Sequence, residues 1–190
     1  MVRRPLDSQA GPDFFAPEGD EHGFDPYERE PDPADARGEP VSDRVTRRFV
    51  VEADGGSRGN PGPAAYGALV RDADSGDTLA AEGLAIGRAT NNVAEYRGLI
   101  AGLEMARALD ADAPVEVRMD SKLVIEQMAG RWKVKHPSML PLARQASQVR
   151  PRQVIWTWVP REENKRADAL VNSALDGTPV PRPESAHAAD

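Results

Sequence analysis

The chain has 190 residues, a formal net charge of −7 and no cysteine, which excludes disulfides, thiolate-bound zinc and thiol nucleophiles and leaves oxygen or histidine to hold any metal. The length suits one domain with a tail. No run approaches the ~20 apolar residues of a membrane-spanning helix, and Met1-Val2-Arg3-Arg4-Pro5 lacks the apolar stretch of a signal peptide, so the protein is expected in the cytoplasm, as a monomer with no membrane partner.

The first segment is set apart by composition. Residues 1–46 hold 12 acids, 5 arginines and 7 of the 17 prolines, with sparse, aperiodic apolar side chains, whereas residues 47–190 hold 19 charges of each sign. Such a segment cannot offset its ordering entropy and is predicted to be a disordered acidic tail. It could solubilise the chain, shield a nucleic-acid groove or dock a protein partner. The neutral remainder can still present a local basic groove, so the overall charge does not exclude nucleic acid.

From Arg47 the pattern becomes that of a folded domain. Strands are predicted over Phe49 to Ala53, Ala64 to Asp72 and Thr78 to Ile86, the last two joined by the turn Asp74-Ser75-Gly76-Asp77. Tyr96, Leu99, Ile100, Leu103 and Ala106 recur at helical spacing within Asn91 to Leu109. Pro114 to Met119 reads as a fourth strand, Ser121 to Met128 and Ser138 to Val149 as helices, and Val154 to Val159 as a fifth strand. A last helix is predicted from Glu162 to Leu175, with Ala167, Leu170, Val171 and Ala174 facing inward. The order β-β-β-α-β-α-α-β-α predicts an α/β fold. Helical crossovers make strands one, four and five parallel and the first three antiparallel, in a mixed five-stranded sheet with helices on both faces.

Asp54-Gly55-Gly56-Ser57-Arg58-Gly59-Asn60-Pro61-Gly62 places a carboxylate at the end of the first strand, before a nearly bare loop that another molecule's backbone could approach. No Gly-Lys-Ser/Thr follows, so it is not a nucleotide triphosphate loop. Three further acids stand at comparable places. Asp120 follows the fourth strand, where an Asp alone would be an ordinary helix cap. Glu95 lies in the first turns of the long helix, sharing a face with Asn91 and Asn92; alone it would be a helix-dipole partner. Asp168 lies one turn after Asn164 and would otherwise be a surface acid. In an open sheet of this kind, ligands bind at the edge where strands one and four end.

Taken together, Asp-Gly-Gly-Ser-x-Gly-Asn-Pro-Gly, Thr-Asn-Asn-x-x-Glu, Asp-Ser and Asn-x-x-x-Asp-x-Leu resemble the ribonuclease H family, type 1, in its compact archaeal and actinobacterial form. The resemblance covers 47–176, leaving 1–46 as the tail and 177–190 as a flexible end. It implies that Asp54, Glu95, Asp120 and Asp168 hold two Mg²⁺ ions, with Mn²⁺ as an alternative, and that the enzyme hydrolyses the RNA strand of an RNA/DNA hybrid to 5′-phosphate and 3′-hydroxyl ends. Asp54 would bridge the ions, Asp168 would hold the one carrying the nucleophilic water, and Glu95 and Asp120 the other. Clustered carboxylates repel one another, and hard divalent cations on oxygen ligands relieve this. The resemblance further implies that Asn60, Asn91 and Asn92 read the 2′-hydroxyl, with Gly55, Ser57 and Gly59 close to the sugar and Thr90 on a DNA-strand phosphate.

The chain departs from many relatives at several places. Arg58 and Lys122 stand where neutral groups are common and are counted with the substrate contacts. A basic protrusion is reduced to Arg131-Trp132-Lys133-Val134-Lys135-His136, which could meet a DNA backbone or serve as a plain linker. The loop before Asp168 carries no histidine, and Arg161, as a phosphate contact, or Glu162, as an aid to metal release, could substitute in part. Trp156 and Trp158 alternate on one strand face and are expected in the core. A DNA nuclease of the same fold and a non-catalytic hybrid-binding module are the alternatives. The asparagine set speaks for RNA discrimination, and four retained acids speak against a mere binding module.

Overall fold

The computed structural model describes residues 47–178. The expectations for the acidic tail and for 179–190 lie outside the described residues. Strand β1 (Phe49–Ser57) pairs antiparallel with β2 (Gly62–Asp72), which pairs antiparallel with β3 (Thr78–Ala89). Helix α1 (Asn91–Leu109) crosses to β4 (Val115–Met119), parallel to β1. Helices α2 (Lys122–Met128) and α3 (Leu140–Val149) lead to β5 (Val154–Trp158), parallel to β4, and α4 (Lys165–Leu175) closes the domain. The sheet order is β3-β2-β1-β4-β5, the mixed five-stranded sheet expected.

Alternation along β1 sorts the two faces. Phe49, Val51 and Ala53 join Val115, Val117 and Met119 of β4 in the main core, under Tyr96, Leu99, Ile100, Leu103 and Ala106 of α1 and apolar residues of α2 and α3. The helical stripe expected for α1 is therefore buried as predicted. Helix α4 lies on the opposite face, where a Cβ at Gly67 of β2 would fall 2.4 Å from the Ala167 carbonyl oxygen. Within α4 only Ala167 and Val171 are buried, so the inward stripe is narrower than predicted.

Three local expectations need correction. Strand β1 continues through Asp54, Gly55, Gly56 and Ser57, which pair with Gly67, Tyr66, Ala65 and Ala64. Glycines depress strand propensity, but here β2 supplies a partner for every residue of the run. The last helix does not start at Glu162: a 3₁₀ turn over Arg161–Glu163 is separated from α4 by Asn164, at φ −105° and ψ 19°. Trp156 packs against the core, but Trp158 is 49% exposed at the end of edge strand β5, where its indole Nε1 donates to the Asp120 carbonyl at 3.0 Å.

Candidate active site

The parallel ladder between β1 and β4 ends at Glu52 opposite Arg118, two residues before Asp54 and Asp120. Both acids thus emerge where the strands diverge. Glu95 reaches the same point from the second turn of α1, whose N-terminus is capped by Thr90, its hydroxyl accepting from the Val93 N–H at 3.4 Å. Thr90 fills the capping role, which fixes where α1 begins and hence where Glu95 points. Carboxylate oxygens of Asp54, Glu95 and Asp120 lie within 4.8 Å of one another.

Asp168, in the first turn of α4, lines the same cleft of about 370 Å³, but both its oxygens are engaged by the protein. Arg161 Nη2 donates to Oδ1 at 2.7 Å and Asn172 Nδ2 to Oδ2 at 2.9 Å. The four acids therefore share one cleft, with three of them in contact range and the fourth held aside. Asn172 was missed in the sequence, although its place four residues after Asp168 on one helix face is the available signal.

The electrostatics of the three-acid group are unfavourable without a cation. Burial, followed by the charge of Asp120, pushes the Asp54 carboxyl up to about 7. Burial and the charge of Asp54 raise Glu95 well above the ordinary carboxylate range. Glu95 Oε1 accepts from Asn91 Nδ2 at 3.3 Å, while Oε2 is buried with no protein partner. The contrast is Glu52, also buried on β1, which receives the Arg71 guanidinium, with Nε at 2.8 Å. An oxygen-only donor set with an orphaned buried carboxylate oxygen fits a hard divalent cation.

The remaining predicted residues divide. Gly55, Ser57, Arg58, Asn91 and Arg161 line the cleft; Gly59, Asn60, Thr90, Asn92 and Lys122 stand outside its wall. Asn60 Oδ1 accepts from the Asn91 N–H at 3.2 Å, tying the β1–β2 connection to the start of α1. Asn92 and Lys122 are exposed. Arg58 pairs with Asp176 at the end of α4. Ser121, not Asp120, occupies the N-cap position of α2, and its side chain makes no capping hydrogen bond there.

The bareness of the glycine run also has a packing cause. A Cβ at Gly55 would lie 2.1 Å from the Glu95 backbone nitrogen, and one at Gly56 would lie 2.9 Å from Val171 Cγ1. These glycines let α1 and α4 press against β1 from its two faces and so bring Glu95 and Asp168 beside Asp54. Gly59, at φ +96°, is required by its left-handed backbone.

Asn164 was quoted in the sequence only as part of a motif. It is 1% exposed, and its Nδ2 donates to the Ala53 carbonyl at 3.0 Å and to Asp120 Oδ1 at 2.8 Å.

Comparison with known proteins bears on the family. A family model described as reverse transcriptase-like matches residues 52–174. A bifunctional protein of Mycobacterium tuberculosis is 60% identical over 131 residues, 68% of this chain and 36% of that protein. Ribonuclease HI of Halobacterium salinarum is 47% identical over 130 residues, 65% of this chain and 62% of its own length. The match thus spans about a third of the mycobacterial protein. The solved type 1 ribonuclease H of Halobacterium salinarum superposes with a TM-score of 0.65 at 44% identity, covering 69% of this chain and 99% of that one. A type 1 ribonuclease H solved in complex with an RNA/DNA hybrid does so at 0.65 and 41% identity, covering 68% of this chain and 98% of that one. With the sheet order, the acids at the diverging strand ends and these likenesses in agreement, the chain belongs to the ribonuclease H family, type 1.

Proposed function

We propose that this protein is an endonuclease that hydrolyses the RNA strand of RNA/DNA hybrids, leaving 5′-phosphate and 3′-hydroxyl ends. The observation that carries the reading is the convergence of Asp54, Glu95 and Asp120 within 4.8 Å, with Glu95 Oε2 buried and unpartnered. Two divalent cations, Mg²⁺ or Mn²⁺, held by Asp54, Glu95, Asp120 and Asp168 would activate a water on one side of the scissile phosphate and stabilise the leaving oxygen on the other.

The chain's own groups do the positioning. Asp54 is central because its carboxyl is the one raised by the charges of Asp120 and Asp168 together. Asn91 orients Glu95 through its side-chain amide, which leaves its Oδ1 to accept from a sugar hydroxyl. Asn60 has its carbonyl oxygen engaged by Asn91, so its amide is the group offered as donor. A donor and an acceptor side by side match the 2′-hydroxyl, which distinguishes RNA from DNA. Arg161, exposed at the cleft's rim and paired with Asp168, is suited to a backbone phosphate once that pair opens. The likeness to a relative solved with RNA/DNA hybrid supports the same substrate.

The test is a cleavage assay on end-labelled RNA/DNA hybrid, duplex RNA and duplex DNA, with Mg²⁺ and with chelator. Metal-dependent cleavage confined to the RNA strand of the hybrid is expected. Cleavage of duplex DNA, or unchanged cleavage under chelation, contradicts the reading.

A further inference from the structure

Asn164, 1% exposed, is a buried polar side chain behind the cleft, joined to Asp120 of its wall, and it is not a candidate ligand. Both neighbours of its Nδ2, the Ala53 carbonyl oxygen and Asp120 Oδ1, are acceptors only, so the amide has one chemically sensible orientation. In that orientation its Oδ1 is buried with no partner. An unmet buried carbonyl destabilises the fold, so packing alone would favour an apolar side chain of the same size.

The backbone of Asn164 adds a third tie. Its carbonyl accepts from the Asp168 N–H at 3.1 Å and so starts the hydrogen-bond ladder of α4. One residue therefore touches the strand position preceding Asp54, the carboxylate of Asp120 and the amide of Asp168. It also explains the helix break: the side chain can reach inward because the backbone at 164 leaves the helical conformation.

We propose that Asn164 is a positioning residue for the cleavage reaction, its amide registering the ends of β1 and β4 and the first turn of α4 so that Asp54, Asp120 and Asp168 are presented together. The inference rests on the proposed metal-dependent function. By occupying Asp120 Oδ1, Asn164 leaves the second oxygen of that carboxylate for a cation. Groups that orient metal ligands typically contribute 10–100-fold to metal affinity or activity.

The test uses Asn164→Leu, similar in size but without the amide, beside wild type and Asp54→Asn. Mn²⁺ binding is measured by calorimetry without nucleic acid, kcat and KM on the hybrid, and thermal unfolding by circular dichroism. Expected for Asn164→Leu, at a temperature where it is folded, are Mn²⁺ affinity and kcat each reduced about tenfold or more, with KM within about threefold of wild type. A folded Asn164→Leu protein with wild-type Mn²⁺ affinity and kcat would overturn the inference, whatever its unfolding temperature.

Should that variant not fold, nuclear magnetic resonance on wild type decides. The Asn164 side-chain amide hydrogens are expected to be protected from exchange and to shift when Mg²⁺ is titrated in. Unprotected hydrogens or an unmoved resonance would overturn the proposal. A wild-type protein that neither binds Mn²⁺ nor cleaves the hybrid would remove the functional reading itself and this inference with it. An active wild type with an unaffected Asn164→Leu removes this inference alone.

Discussion

Arg161 holds the carboxylate of Asp168, its Nη2 donating to Oδ1 at 2.7 Å, so that the fourth acid of the cleft is neutralised by the protein while the other three face one another. The pair is a reversible one. Arg161 is 75% exposed and Asp168 30%, and an ion pair so open to solvent contributes about 0–1 kcal/mol. Arg161→Ala is therefore expected to unfold within a few degrees of wild type but to change catalysis. Without the competing guanidinium, Asp168 is available at lower Mg²⁺, while loss of the phosphate contact slows turnover. Steady-state cleavage across a Mg²⁺ titration checks this, and an unaltered turnover and Mg²⁺ dependence would count against both roles.

The glycine run yields a contrast between two substitutions. At Gly55 an added methyl meets the backbone of Glu95 at 2.1 Å and cannot be relieved by a side-chain rotation, so Gly55→Ala is expected to destabilise by about 3 kcal/mol or more and to displace Glu95. At Gly59 an added Cβ would meet its nearest neighbour, the Pro61 carbonyl oxygen, at an ordinary 3.6 Å and only the φ of +96° resists, so Gly59→Ala is expected to cost about 1–2 kcal/mol and to retain cleavage. Urea unfolding with cleavage assays on both variants tests the ordering.

The fold and the acids were legible in the sequence because each rests on a local rule. Strand alternation, the stripe from Tyr96 to Ala106 and the acids following strand ends are set by periods and positions that survive without tertiary information. What was not legible depends on partners distant in sequence. That Gly55 and Gly56 also make room for α1 and α4 is seen only when those helices are in place. Trp158 alternates with Trp156 but lies on an edge strand where the core has ended. Asn164 lies 44 residues from Asp120 and 111 from Ala53, and nothing in its neighbourhood announces the bridge.

The raised carboxyls make metal-free stability depend on pH in a definite direction. Asp54 titrates near 7 in the folded protein, because of burial and then the charge of Asp120, against an ordinary value of 3.8. Between those values the folded state binds more protons than the unfolded one, so stability falls as pH rises through this window. Glu95, also raised, acts in the same direction. Thermal unfolding in chelator is expected at a lower temperature at pH 7.5 than at pH 5, with Mg²⁺ recovering most of the difference at the higher pH. A metal-free protein equally stable at both would contradict the electrostatic account of the cleft.

Asp54→Asn decides whether the convergent carboxylates bind the cation on which hybrid cleavage depends. The substitution keeps the shape of the side chain and removes a charge within 4.8 Å of Glu95 and Asp120. Cleavage of labelled RNA/DNA hybrid, measured across a Mg²⁺ titration for wild type and variant at matched folded concentration, is the decisive measurement. Expected are Mg²⁺-dependent cleavage by wild type and a loss of about a thousandfold or more in Asp54→Asn, on the order of 4 kcal/mol in the barrier. Wild-type rates in the variant, or cleavage that persists without a divalent cation, would contradict that role for the carboxylates.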